Sequence, residues 1–222
     1  MILGSWKSQK VAVYDDQYHY VFQKSNENML GNFISINYDG DVVAYTDSSN
    51  TYIVMKIDNT WTLMGDLTIS GDFRGVSLSK DGLTVVTTRY KSRTRVHTFS
   101  KNGDTWSKNQ KGSNISHSNV STNASYHNEN AISFDGNVVI VTEKWFNNKR
   151  GRFLIYYYQN DQWQLFERKE NGQSVNDEGQ SNNEQLGNYF VSASSTLSHI
   201  CVSSFFGGKG KLYLYEMTNL YN

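Results

Sequence analysis

Apolar and polar residues alternate with a period of two in short runs along the whole chain, and no stretch of a dozen residues keeps a helical period. That pattern predicts an all-β protein. The runs repeat in a fixed order. Strand A is Phe33–Ile36, Val76–Ser79, Ala131–Phe134 and Phe190–Ala193, and strand B is Val42–Tyr45, Thr84–Thr87, Val138–Val141 and Ile200–Ser203. Asp39-Gly40, Asp81-Gly82 and Asp135-Gly136 join the first three A–B pairs. Such a pair predicts a two-residue type I′ hairpin, because both central residues need positive φ. In the fourth copy Ser195-Thr196-Leu197-Ser198 stands there instead, so a longer or differently closed turn is expected.

Strand C occurs five times, as Lys10–Tyr14, Tyr52–Met55, Arg95–Phe99, Phe153–Tyr157 and Leu212–Tyr215. Strand D opens on an aromatic residue, Tyr18, Trp61, Trp106 or Trp163, and these lie 43, 45 and 57 residues apart. Four strands in a unit of about 45 residues is the spacing of a β-propeller blade. The expected fold is therefore a β-propeller of four-stranded antiparallel blades in one domain over 1–222. Residues 1–28 supply only strands C and D, and 185–222 supply A, B and C. With full copies at 29–69, 70–127 and 128–184, this predicts five blades with incomplete terminal blades, the alternative being part of a larger ring or assembly, with a partner as one candidate to complete the end blades.

The A-strand, Asp-Gly, B-strand order, the Trp-initiated strand D, and Leu30-Gly31-Asn32-Phe33 with Leu186-Gly187-Asn188-Tyr189 resemble the FG-GAP-type propeller repeats of the integrin α head and of many microbial and viral proteins. The resemblance covers almost the whole chain and implies a non-catalytic binding or scaffolding propeller. Three features depart from it. Leu replaces the Phe of Phe-Gly, Thr46, Thr88, Thr142 and Ser204 stand where Gly-Ala-Pro would follow strand B, and the Asp-x-Asp-x-Asp-Gly calcium loop is absent. Calcium is not carried over, and no cofactor or metal is expected.

Composition narrows the partners. Twenty-one basic and 21 acidic residues cancel, which removes the global charge argument for nucleic acid or an anionic membrane. Aromatics make up 14% of the chain, enough to build a core beneath its many polar turns. No apolar run of signal-peptide or membrane-spanning length occurs, which leads to the expectation of a cytoplasmic or virion protein without membrane insertion. Cys201 is the only cysteine and sits in a strand pattern, the setting of an inert core thiol. Proline is absent.

In such a blade the A–B hairpins emerge at one end, and the B–C and D–A connections at the other. Three B–C connections combine cations with aromatics, giving the candidate binding face Arg89, Tyr90, Lys91, Arg93, Lys144, Trp145, Arg150, Phe205, Phe206 and Lys209. Guanidinium, ammonium and aromatic groups side by side stack on sugars, bind anionic glycans or anchor protein partners. Other protein subunits or a glycan are thus the expected partners. Long polar D–A connections run over Lys111–Glu129 and Arg168–Gln185, the first with sequons at Asn114, Asn119 and Asn123.

Catalytic motifs do not assemble. His127-Asn128-Glu129 matches the His-x-Glu of zinc deaminases, but a single cysteine cannot supply their Cys-x-x-Cys. Gly207-Gly208-Lys209-Gly210-Lys211 lacks the upstream glycine and the hydroxyl residue of a phosphate loop, and no Gly-x-Ser-x-Gly occurs. The expectation is a protein that is not an enzyme. It acts as a binding or scaffolding subunit of a larger assembly, associated with a virion, or alternatively as a lectin-like propeller that takes carbohydrate on the B–C face.

Overall fold

The structure, a computed structural model, describes residues 2–5, 10–14, 20–25, 33–47, 49–64, 67–70, 73–89, 94–102, 105–115, 129–143, 151–166, 169–170, 173–174, 190–194, 198–206 and 209–217. Every strand pairing among them is antiparallel, and the strands follow one another across each sheet. Sheet I is β1 (Ile2–Ser5), β2 (Lys10–Tyr14) and β3 (Tyr20–Ser25). Sheet II is β4 (Ile34–Ile36), β5 (Val42–Thr46), β6 (Asn50–Ile57) and β7 (Thr60–Leu63), with β8 (Ile69–Ser70) also on β6. Sheet III is β9 (Phe73–Leu78), β10 (Thr84–Arg89), β11 (Thr94–Asn102) and β12 (Thr105–Gln110). Sheet IV is β13 (Asn130–Ile132), β14 (Val138–Glu143), β15 (Arg152–Gln159) and β16 (Gln162–Leu165). A ribbon of β17 (Lys169–Glu170) and β18 (Gln173–Ser174) precedes sheet V, which is β19 (Val191–Ala193), β20 (His199–Phe206) and β21 (Lys209–Glu216).

The core lies between successive sheets, because successive side chains point to opposite faces and the continuous runs Val42–Thr46 and Val138–Glu143 are buried on both, each against one neighbouring sheet. Val11 and Val13 of sheet I meet Val43, Tyr45 and Val54 of sheet II. The other side of sheet II, Ala44, Ile53 and Met55, meets Val76, Val85 and Phe99 of sheet III. Val86 and Val96 then face Val139, Val141 and Leu154 of sheet IV, whose opposite face, Ile140, Phe153 and Ile155, covers Ile200 and Val202 of sheet V. Each fully buried aliphatic or aromatic side chain contributes about 1.5–3 kcal/mol, so the junctions hold the molecule together. Trp61, Trp106 and Trp163 each lie one residue inside strand D and fold back onto the junction with the preceding sheet.

Three turn and strand expectations need correction. Lys10–Tyr14 is the middle strand of its sheet, since Ile2–Ser5 pairs along its other edge from Ile2 opposite Val13 to Ser5 opposite Lys10. That first run was missed because it is short and holds a glycine. Both terminal sheets consequently have three strands among the described residues.

The Asp-Gly hairpins are also not type I′. Positive φ occurs at Gly40, Gly82 and Gly136 but not at the preceding aspartates, and each loop has four residues between the closing pair, Asn37 with Val42, Ser79 with Thr84 and Ser133 with Val138. The Asp81 carboxylate accepts from the Ser79 hydroxyl and the Leu83 N–H, and Asp135 does the same for Ser133 and Asn137. In these two hairpins aspartate is there for its side-chain bonds and glycine for its φ, while in the first the Asn37 side chain bonds Asp41 and the Val42 N–H. The type I′ turns are the C–D hairpins, with φ of 47° and 62° at Asp58 and Asn59 and of 51° and 58° at Asn160 and Asp161. The fourth A–B hairpin closes over the same span as the others. Its Ser194 N–H donates to the His199 carbonyl and its Ser194 hydroxyl accepts from the His199 N–H, so the missing Asp-Gly does not lengthen it.

His97, in β11 opposite Val85 and Gln110, is 7% exposed, and its buried Nδ1 makes no hydrogen bond among the described residues. Burial, with Lys108 and Arg95 nearby, pulls its pKa from 6.5 down to about 4. The unfolded chain takes up this proton near pH 6.5 and the folded one only near pH 4. Stability should therefore fall as pH drops through that window, by on the order of 3 kcal/mol from this residue, and be flat above it. Urea unfolding between pH 4 and 7 checks this. His97→Gln should flatten the slope, and an unchanged slope in that variant would assign it elsewhere.

Candidate functional site

At the hairpin end, neighbouring sheets are joined through their backbones. The Tyr38 N–H donates to the Lys80 carbonyl at 3.2 Å, and the Lys80 N–H donates to the Phe134 carbonyl at 3.0 Å. These residues occupy the same turn position in sheets II, III and IV, so the three hairpins form one ladder. Tyr38 and Phe134 come from sheets that are not neighbours, yet their rings meet edge to face at 5.5 Å, with the Lys80 ammonium 5.0 Å from the Tyr38 ring centre. The hairpin tips thus converge.

Lys111 ties sheet III to sheet IV. Its ammonium donates to the Gly136 carbonyl and the Asn137 side chain, both at 2.8 Å, and lies 4.7 Å from the Tyr158 ring centre, while its carbonyl accepts from the Trp163 indole. Burial pulls the Lys111 ammonium below the usual lysine range, against the attraction of Asp135 and Asp81. Burial alone would raise Asp135, but bonds from Ser133 and Asn137, with Lys111 nearby, hold its carboxyl below the usual range. Lys111 and Ile115, which is buried and bridged to Thr94, make the start of the first long D–A connection a packed segment rather than a free loop.

At the opposite end, the stems of the B–C connections of sheets II, III and IV are buried and each carries threonine. Thr46 opposes Thr51, Thr88 opposes Thr94, and Thr142 opposes Phe153, every one of them 0% exposed. The register puts Ser203, not Ser204, in the same slot, since the Thr46, Thr142 and Ser203 N–H groups donate to the equivalent Phe33, Glu129 and Phe190 carbonyls. The Ser77 hydroxyl donates to the Asn130 side chain, whose amide donates to Thr88 and so links sheets III and IV. Glu143, at 0% exposure and next in sequence to Lys144, accepts from the Arg152 guanidinium at 2.7 Å. Burial, with Glu143 close by, pushes the Tyr156 phenol far up.

Of the sequence-predicted face, Arg89 ends β10 opposite Phe73, after a register shift at Thr88. Phe205, Phe206 and Lys209 are strand residues, with Phe205 opposite Gly210 and Phe206 opposite Lys209. The connection that carries Phe205, Phe206 and Lys209 is therefore largely a paired hairpin, with Gly207 and Gly208 between its strands. The Gly-Gly pair, a strong hairpin signal, marked it. Tyr90, Lys91, Arg93, Lys144, Trp145 and Arg150 lie outside the described residues, as do the sequons at Asn119 and Asn123. Glu143, Arg152 and the hairpin ladder were not foreseen. Among the described residues no three His, Cys, Asp or Glu side chains gather as a metal site, and no helix is long and apolar enough to cross a membrane.

No family model and no curated protein matches the sequence. Among solved structures, a chain of Kuenenia stuttgartiensis hydrazine synthase superposes with a TM-score of 0.59 over 98% of this chain and 62% of its own length, at 11% identity. At that identity the likeness is one of fold. The fold is a β-propeller. Sheets I to V stand as successive blades among the described residues, and in blades II, III and IV strands A to D follow in sequence order, with the A–B hairpins at one end and the stems of the B–C connections at the other.

Proposed function

We propose that this propeller is a non-catalytic binding or scaffolding module, a subunit of a larger assembly of the kind found in virions, and that it engages other subunits through its B–C loops. The observation that carries the reading is the recurrence of cation and aromatic residues in three successive B–C connections, Arg89–Arg93, Lys144–Arg150 and Phe205–Lys209. Two of these spring from stems of buried threonines, and Glu143–Arg152 braces the second. A rigid stem lowers the ordering cost of a loop that binds. The resemblance to FG-GAP-type repeats and the lack of an assembled catalytic motif favour the same reading. The alternative is a lectin-like propeller that stacks sugar rings on Trp145 and Tyr90.

A glycan array and co-sedimentation with purified particles of the source separate these. The subunit reading expects a blank array and retention in particles that Trp145→Ala and Arg150→Ala weaken. Specific array hits abolished by Trp145→Ala would establish the lectin instead, and a blank array with no retention would overturn the subunit reading.

A further inference from the structure

The alternation of side chains fixes which residues look into the junction between blades II and III. In blade II the face that carries Ala44 and Ile53 also carries Thr46 and Thr51, and Thr51 lies opposite Ile69 of the same core. In blade III the face that carries Val85 and Phe99 also carries Thr87, Arg95 and His97, since Thr87 lies opposite Arg95 and Val85 opposite His97. Lys108 stands opposite Phe99 on that face, and its ammonium donates to the Thr68 carbonyl at 2.6 Å.

Hydroxyl, imidazole and guanidinium groups thus enter an otherwise apolar junction, and the protein leaves them unmatched. Thr51 and Thr87 are 0% exposed and His97 is 7% exposed, yet Thr51 Oγ1, Thr87 Oγ1 and His97 Nδ1 make no hydrogen bond among the described residues. Arg95, partly exposed beside Thr87, has neither a hydrogen bond nor a carboxylate partner there. Strands β4 to β12 contain no Asp or Glu at all, so nothing on them offsets the charges of Arg95 and Lys108.

Buried polar atoms are almost always hydrogen-bonded, because leaving one unpaired costs the whole of its desolvation. Three in one junction therefore mark a place that something else fills. Water would satisfy the two hydroxyls but not the guanidinium charge, and a cation would be repelled by Arg95 and Lys108. An oxyanion meets both needs. Its oxygens accept from the hydroxyls, from the neutral His97 ring in its Nδ1–H tautomer and, in charge-assisted bonds, from Arg95. A tetrahedral one points its oxygens in several directions and so reaches donors on both sheets.

We propose that the junction of blades II and III holds a small tetrahedral oxyanion, phosphate or sulfate, free or as the end of a small ester, between Arg95, Thr87 and His97 of one sheet and Thr51 of the other. This site stands whether the B–C face takes a subunit or a glycan.

Isothermal titration calorimetry on the full chain, in a buffer free of both ions, tests it. The titrants are sodium phosphate, sodium sulfate and glycerol phosphate, with sodium chloride at matched ionic strength as the blank. Saturable binding of one oxyanion per chain is expected, weakened about tenfold or more by Arg95→Gln and likewise by Thr51→Val with Thr87→Val. Lys56→Gln, in an exposed strand position at the hairpin end, should change nothing. Arg95 has no partner to lose, so the near-ultraviolet circular dichroism of Arg95→Gln should match the wild type. Without oxyanion, the threonine pair variant should be at least as stable as the wild type, because valine fills the same space without an unpaired hydroxyl. Binding of all three titrants would show a site open to an ester, and binding of the free ions alone an enclosed one; either supports the proposal. No saturable heat from any of them, or binding that Arg95→Gln and the threonine pair leave unchanged, would overturn it.

Discussion

Replacing Gly82 by alanine should lower the unfolding free energy by about 3 kcal/mol, whereas the same change at Gly40 should cost only about 1 kcal/mol. Both glycines hold a left-handed backbone in equivalent hairpins, with φ of 71° and 74°, and share that part of the cost. They differ in what surrounds them. A Cβ on Gly82 would lie 2.6 Å from the Val42 side chain of the preceding blade, while one on Gly40 would meet nothing within 4 Å. The hairpin of blade III must therefore back away from blade II, straining the Tyr38–Lys80 bond. For a chain of this size the larger loss corresponds to roughly 6–12 °C in Tm. Equal losses in the two variants, measured by denaturant unfolding, would show that the blades do not meet this closely.

The second large effect belongs to the stem of the 144–150 loop. Glu143→Ala should destabilise the chain by about 3–5 kcal/mol, because it takes the buried carboxylate away from the Arg152 guanidinium, which is 11% exposed. Replacing both partners by apolar residues of similar volume, Glu143→Leu with Arg152→Met, should restore most of the loss, since the desolvation of two charges disappears with them. A double variant as unstable as Glu143→Ala would mean that the pair is held by more than its mutual attraction. The comparison also bears on function. A stem repaired in stability but not in particle retention would tie the ion pair to loop placement.

Blade order was legible because period-2 alternation, the Asp-Gly pairs and the tryptophans are local signals. Strands B and C at Val42–Tyr45, Val138–Val141 and Phe153–Tyr157, and Trp61, Trp106 and Trp163 in strand D, stand where the pattern puts them. What escaped depends on residues distant in sequence. Asp-Gly suits a type I′ turn as well as the observed four-residue loop, and the choice is made by Asn37, Ser79 and Ser133 bonding across their loops to Val42, Thr84 and Val138. Glu143 reads as the first residue of a charged loop, and its burial follows from a cross-strand arginine nine residues on. The hairpin ladder joins residues 42 and 54 positions apart, which no short-range pattern encodes. Of the candidate site, residue types could be read from the chain, but their grouping depends on loop conformations that local propensity does not set.

The central claim is that blades II, III and IV are locked hairpin to hairpin at one end, opposite the threonine-bearing stems of their B–C connections. Native-state hydrogen exchange at Tyr38 and Lys80 tests it most directly. Both lie in exposed turns, where free amides exchange fast, yet each N–H is donated to the next blade. The account predicts that these two amides are protected to the same degree as those of Val43 and Val86 in the buried strands. Exchange at the rate of an open turn would contradict it.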